Sequence, residues 1–373
     1  MTNQPRSPRR NSSSDVEYWT SSYALPGVAA VNAATLEAEG WSGMGIVDSQ
    51  CTSGDTFVAA TVASVATSVL RLGTSVTNSI TRHPATLASA AAALQEESGG
   101  RFVLGIGRGD SALAHLGLAP APVAQFERFL ERLQGYLAGD DVPFDLATDA
   151  VGGLRSVESL GLAGAPDASR LRWLERNATQ PKVPVDVAAT GPRMIKIAAR
   201  LGDAITLGVG VDDDRVAWAI DLARQTREAA GLDPDTLGIG AYVPLMIDDD
   251  RVAAREALRG HVGSYARFSV MQNGTAGPIA RSQSASLAAV KQSYDMRAHF
   301  KHGSPQSQAV TTEVFDAFSI AGPSDYCLDR LGKLYEMGIR RFQLMGPGAG
   351  APDSLVADWR ARIVAEILPA SVN

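Results

Sequence analysis

Cysteine is nearly missing from this chain of 373 residues: Cys51 and Cys327 are the only two. Two thiols so far apart exclude a disulfide framework and a cysteine-based zinc site, and fit a reducing cytoplasm. No apolar run reaches the roughly 18 residues that a bilayer span requires, so a membrane protein is not expected. A basic excess is missing too. The net charge is -6, which argues against a general nucleic-acid binder. The segment MTNQPRSPRRNSSS at 1–14 has no apolar stretch of the kind a secretory signal needs, and reads as a disordered tail. Also lacking are a G-x-S-x-G elbow, a P-loop lysine motif and a zinc-protease motif. With no obvious nucleophile or metal set, an enzyme built from this chain would borrow a cofactor for redox chemistry.

What is present is a regular alternation of short apolar runs and helical stretches. Strands are expected at Val16–Thr20, Gly43–Asp48, Leu70–Val76, Phe102–Ile106, Val185–Ala189, Ala204–Gly208, Gly238–Ile247 and Arg341–Met345. Helices are expected at Val28–Glu39, Thr56–Thr67, Ala85–Glu97, Val123–Leu137, Arg193–Leu201 and Asp213–Ala230. Later helices are expected at Asp250–Met271, Ser324–Met337 and Leu355–Ile367. Eight strands, each followed by a helix, predict a (β/α)8 TIM barrel spanning 15–373 as one domain, ahead of a doubly wound open sheet. Strands such as VDVAAT at 185–190 lack polar alternation, as burial on both faces of a parallel barrel requires. Insertions are expected after strand four, at Asp140–Lys182, and after strand seven, at Gly274–Ser319, the latter with a helical core around Ser286–Phe300. Insertions of this length usually cover an active site.

Chemistry in such a barrel gathers at the carboxyl ends of the strands. Asp48 ends strand two, where it could bind a ring or a hydroxyl, carry a proton, or cap the helix near Thr56. Ser75, Val76, Thr77 and Asn78 follow strand three; they could let a flat ring approach the backbone, or form an ordinary polar loop. His83 precedes Pro84 and could meet an anion, shuttle protons or cap the next helix. His115 has the bland reading of a loop residue. His299 and His302, three apart, read as surface histidines of a helix, with no metal set around them. Gly105, Gly107 and Gly109 shape a GIGRGD loop after strand four, beside Arg108 and Asp110. The G-x-G-x-x-A match at 107–112 is weak as a dinucleotide fingerprint, because Pro120 and Pro122 interrupt where a long helix should begin. In AATGPRM, Thr190, Gly191 and Pro192 could hold a phosphate at a helix N-terminus with Arg193, or Thr190 could cap that helix. The GPGAG run at 346–350 either lines the mouth or turns the chain.

Taken together, GMGIVDSQ, LGTSVTNSITRHPA, EESGGRFVLGIGRGD, AATGPRM and GIRRFQLMGPG resemble the luciferase-like flavin- or deazaflavin-dependent oxidoreductases. The likeness runs from Val16 to Ile367. The VTN…HPA…GGR…LGIGRGD region is most similar to the methylenetetrahydromethanopterin reductase branch. The resemblance implies a barrel that holds an isoalloxazine-type ring, with a non-proline cis peptide at Ser75–Val76 against it. It places Asp48 near the reactive edge, Gly107, Arg108 and Gly109 on the strand-four loop, and Thr190, Gly191 and Pro192 at the cofactor phosphate. It further implies hydride transfer between the deazaflavin coenzyme F-420 and a small organic molecule, with Asp48 and His83 as candidate catalytic residues. FMN serving an oxygen-using monooxygenase is the alternative, and a non-catalytic flavin-binding barrel a third reading. A homodimer is expected from the family. Arg82, Arg108 and Arg193 are candidates to meet an acidic cofactor tail. One departure stands out: Ser49 and Gln50 follow Asp48, where many deazaflavin enzymes carry a histidine.

Overall fold

Trp19 lies across Gly43 and Gly73 of two neighbouring strands, and this contact marks the floor of a closed ring. A Cβ on Gly43 would stand 2.3 Å from the indole, and one on Gly73 3.2 Å from it. A computed structural model describes residues 16–145, 155–271 and 276–370. The expected tail at 1–14, and Gly274 at the start of the second insertion, lie outside the described residues.

The ring consists of β1 (Glu17–Ser22), β2 (Gly43–Ile46), β3 (Arg71–Thr74), β4 (Phe102–Gly107), β5 (Val185–Ala189), β6 (Ala204–Leu207), β7 (Gly238–Ile247) and β8 (Arg341–Met345). Each strand pairs in parallel with the next, and β8 returns to β1 with Glu17 opposite Arg341. This is the expected (β/α)8 TIM barrel. Closure removes the free edges that an open sheet would have to protect. Strands β2, β4 and β6 are buried at every position, which explains their unbroken apolar character. Three strands have the bounds read from sequence. The third stops at Thr74, and a short strand resumes at Thr77–Asn78 beyond a cis Ser75–Val76 bond.

At the amino-terminal end the interior is plugged by charge on an aromatic plate. The guanidinium groups of Arg71 and Arg341 sit 5.7 Å and 5.5 Å from the Trp19 ring, and Arg341 pairs with buried Asp186 at 2.6 Å. Among the described residues, these side chains close the amino-terminal end of the interior.

The helices are α1 (Ala29–Ala38), α2 (Thr56–Val65), α3 (Pro84–Glu97), α4 (Val123–Ala138), α5 (Pro192–Leu201), α6 (Asp213–Ala229), α7 (Arg251–Phe268), α8 (Ser324–Glu336) and α9 (Asp353–Arg362). Their starts are set by local chemistry. Asp55 accepts hydrogen bonds from the Phe57 and Val58 amides at α2, and Asp250 from Val252 and Ala253 at α7. The inward stripe of α4 buries Phe126, Phe129, Leu130, Leu133 and Leu137, each fully buried side chain contributing about 2 kcal/mol. No helix among the described residues is long and apolar enough to cross a membrane.

The late insertion holds helices at Arg281–Gln292, Pro305–Gln308 and Thr312–Phe318, with a tight turn at Met296–Ala298. The continuous helical core expected over Ser286–Phe300 is thus broken after Gln292. A strand that the sequence reading lacked, Ile320–Gly322, pairs with the end of β7. Three residues are too few to show a periodicity, and only the unusual length of β7 leaves it a partner.

Candidate active site at the mouth of the barrel

A cavity of about 650 Å³ opens at the carboxyl ends of the strands. Asp48, Ser75, Val76, Asn78, Gly107, Arg108, Gly109, Thr190, Gly191 and Pro192 all line it. Thr77 lies buried beneath them. His83 does not reach the cavity: it is exposed, and its Nδ1 accepts the Ala85 amide at 3.1 Å as the cap of α3. Of its three sequence readings, capping is the one realised.

Asp48 is buried and held from two sides. Its Oδ2 accepts from Thr77 Oγ1 at 2.6 Å and from Arg82 Nη1 at 2.7 Å. Arg82 reaches Asp55 with its other nitrogen at 2.6 Å and lies 5.0 Å from the Phe57 ring. Asp48 therefore is not the cap of α2, a role taken by Asp55. Arg82 is engaged by two carboxylates and is poorly placed to meet an acidic cofactor tail. Burial raises the Asp55 carboxyl, but the Val58 amide and Arg82 outweigh it and hold the group below its ordinary value.

Ser75 and Val76 bulge into the cavity across the cis bond that the family resemblance implies. Glycines make the room. A Cβ on Gly105 would lie 2.0 Å from the Thr74 carbonyl oxygen, and one on Gly45 2.7 Å from Ser75 Cβ. Gly105 lies in β4 as its expected bounds imply, and Gly107, read as a loop residue, is the last residue of that strand. Only Gly109 of the three adopts a positive φ, +80°, which favours glycine. Gly45 was not singled out from the sequence, although two glycines in a four-residue strand signal a close approach.

Asn78 accepts the Ile80 and Thr81 amides with Oδ1, while its buried Nδ2 has no partner. Ser49 Oγ is in the same state, and both residues line the cavity. An unsatisfied buried polar atom costs about 1–3 kcal/mol, so two of them beside a flat bulge fit a planar ligand rich in ring heteroatoms.

The first turn of α5 forms the far wall. Its N-cap is Gly191, without any side-chain cap, so Thr190 does not perform the capping role. A Cβ on Gly191 would meet nothing within 4 Å, which leaves an open cradle beside amides at the positive end of the helix. Arg108 and Arg193 stand close by. Burial first, and the charge of Arg193 second, hold the Arg108 guanidinium below its ordinary value. Such crowding of positive charge at an uncapped helix end suits a phosphate.

The late insertion supplies the remaining wall with Phe300 and His299, while Phe268 and Met271 come from the end of α7 and just beyond it. His299 is neither helical nor a surface residue, which corrects its sequence reading. It follows the Met296–Ala298 turn, and its Nδ1 is hydrogen bonded to the Tyr294 hydroxyl. Burial pushes its pKa down to about 4. His302 is exposed and faces Glu256 at 3.5 Å; His115 is exposed as well. Asp110 lines the cavity but pairs with Arg267 at 2.6 Å. GPGAG does not line the mouth. It turns the chain, with Gly346 packed under the Trp359 ring.

The profile of the luciferase-like monooxygenases matches residues 28–341, and the chain belongs to that family. The 5,10-methylenetetrahydromethanopterin reductase of Methanolobus tindarius is 27% identical over 316 residues, 83% of this chain and 87% of that protein. The F-420-dependent hydroxymycolic acid dehydrogenase of Mycobacterium tuberculosis is 32% identical over 194 residues, 51% of this chain and 49% of that one. The solved structure of the coenzyme F-420 dependent tetrahydromethanopterin reductase from Methanopyrus kandleri has the same fold. Its TM-score is 0.68 at 22% identity, covering 95% of this chain and 99% of that one.

Proposed function

We propose that this protein is an oxidoreductase that exchanges a hydride between the deazaflavin coenzyme F-420 and an organic substrate. The observation that carries the reading is the pairing of a ring bed with an anion cradle across one cavity. Ser49 Oγ and Asn78 Nδ2 are buried hydrogen-bonding atoms without partners, next to the Ser75–Val76 bulge. The uncapped start of α5 lies across the cavity with Arg108 and Arg193. F-420 would be held by these groups, and when bound it supplies a hydride acceptor or donor. Asp48, paired with Arg82 and bonded to Thr77, would hold the loops under the cofactor site in place, and Phe268, Met271 and Phe300 would help to keep water out of the cavity. Relatives named for F-420 support the deazaflavin over FMN.

FMN with oxygen is the second reading, favoured by the monooxygenases for which the family is named. A fluorescence titration with F-420 and with FMN, side by side, separates the two. Tighter binding of F-420 is expected. Tighter binding of FMN would replace hydride transfer with oxygen chemistry, and binding of neither would sink the cofactor assignment.

The protein is further proposed to act as a homodimer. Val58, Val62 and Val65 form an exposed stripe along α2, flanked by Val31 of α1 and by Val69. Such a stripe is unusual for a surface that meets only water. Exposed Cys51 and buried Cys327, both free thiols, support a cytoplasmic setting.

A further inference from the structure

Phe300 has a φ of 58°, the one positive value outside glycine among the described residues. A residue with a Cβ is strained in that region, whereas glycine enters it freely. Strain of this kind persists where the side chain has a task. The backbone here is gripped from both sides. The Phe300 amide donates to Ser264 Oγ at 3.1 Å, and its carbonyl accepts the Ala349 amide at 3.0 Å. A Cβ on Gly260 would stand 2.5 Å from that carbonyl oxygen, and one on Gly348 2.7 Å from it. Thus α7 and the GPGAG turn fix the insertion at this point and hold Phe300, half-buried, in the cavity wall.

The ring belongs to a continuous aromatic surface. Its centroid lies 5.8 Å from that of Tyr265, which in turn lies 5.6 Å from Tyr242 and meets Phe268 edge-on at 5.7 Å. All four line the cavity, as does Met271. His261 and His299 brace the Phe300 ring at 5.0 Å and 4.1 Å. Two polar side chains of this wall are already engaged: Ser269 Oγ accepts from Arg215 at 2.9 Å, and Tyr242 is hydrogen bonded to Ser75. Charge is engaged as well. Of the charged side chains that line the cavity, Asp48 pairs with Arg82 and Asp110 with Arg267, while Arg108 and Arg193 stand at the anion cradle. A charged group brought against the rings would lose water and gain no counter-ion. A pterin, whose edge is a row of hydrogen-bond donors and acceptors, would leave that row unmet there.

We propose that Phe300 is the specificity-determining residue of this wall, selecting an uncharged substrate whose carbocyclic aromatic ring packs against it. The inference rests on the F-420 reading above and deepens it: ring bed and anion cradle take the coenzyme, and the aromatic wall takes the substrate. Offset or edge-on contact between rings adds attraction beyond the burial of apolar area, which an aliphatic chain does not receive.

Calorimetric titration of the full chain, without coenzyme and then with F-420 present, tests this with three probes: acetylnaphthalene, naphthoate and methylpterin. Acetylnaphthalene should bind about tenfold or more tighter than either of the others. Equal or tighter binding of naphthoate or methylpterin would overturn the substrate class. Saturating F-420 should leave the acetylnaphthalene affinity largely intact; displacement of the probe by F-420 would place it on the ring bed and overturn the proposal. F300L should weaken acetylnaphthalene roughly two- to tenfold, the worth of one ring contact beyond its area, and F300A should weaken it further. F300G removes the ring but keeps the turn, since glycine takes this φ without strain, and it should bind as poorly as F300A. The affinity of all three variants for F-420 should stay within about twofold of wild type. Lowered unfolding midpoints with unchanged acetylnaphthalene affinity would mark Phe300 as merely structural and overturn the proposal. Failure of the wild-type protein to bind F-420 would overturn the function proposed above, while the coenzyme-free titrations still decide the role of Phe300.

Discussion

Arg82 Nη1 lies 2.7 Å from Asp48 Oδ2, and this ion pair underlies the cavity floor with only 2% of the Asp48 side chain exposed. The two residues lie 34 positions apart in the chain, Asp48 just beyond β2 and Arg82 after the Thr77–Asn78 strand. Their contact fixes the loops after β2 and β3 against each other.

Removing Arg82 should therefore cost more than an exposed ion pair would. R82A leaves a buried carboxylate without its cation, a loss of about 3 kcal/mol. Adding D48N should recover part of that, because the stranded charge is gone. Urea unfolding of the single and double variants checks this, and a deficit that D48N leaves unchanged would argue against the pair.

Two glycines should separate stability from binding. G105A must push its Cβ off the Thr74 carbonyl oxygen, 2.0 Å away, and should destabilise the barrel by about 2 kcal/mol or more. G191V fills open space and should leave stability within about 0.5 kcal/mol of wild type. Its affinity for F-420 should nevertheless fall tenfold or more, because the added side chain occupies the anion cradle. Thermal unfolding and F-420 titration of both variants report the two effects independently.

Acidification should unfold the protein through its buried histidines. His261 and His299 both have folded pKa values near 4, against 6.5 for an ordinary histidine, with burial as the main cause. Above pH 6.5 neither state binds the proton and stability is unaffected. As pH falls from 6.5 towards 4 the unfolded chain takes up protons that the folded chain refuses, and stability declines. The loss reaches about 3 kcal/mol per histidine at the lower limit. Urea midpoints measured across this window should fall with pH, and H261Q should flatten the slope. A flat profile from pH 6.5 to 4 would contradict the buried neutral state.

The exposed valine stripe gives the oligomer test. V62E should convert a dimer into a monomer, read by light scattering after size-exclusion chromatography, with F-420 binding little changed. A wild-type protein that runs as a monomer would remove the stripe from consideration as an interface.

The order of strands and helices was written in local pattern. Short apolar runs bounded by glycine and polar turns located β5, β7 and β8 to the residue, and the carboxyl ends of the strands then pointed to Asp48, Val76, Gly107 and Gly191. Family resemblance added the cis Ser75–Val76 bond. None of this needs knowledge of which strand meets which. Pairing of neighbouring strands brought Gly105 against Thr74 and Arg82 against Asp48, and the closed ring brought His299 of a late insertion to the cavity that β2 to β5 begin. Hydrophobic period and turn chemistry are carried by neighbours in the chain, whereas the partner of a buried charge and the facing of a loop histidine are set by contacts across it. For that reason the sequence left His83 open between a site residue and a helix cap, and the structure shows it capping α3 outside the cavity wall, while His299 read as surface and lies in that wall.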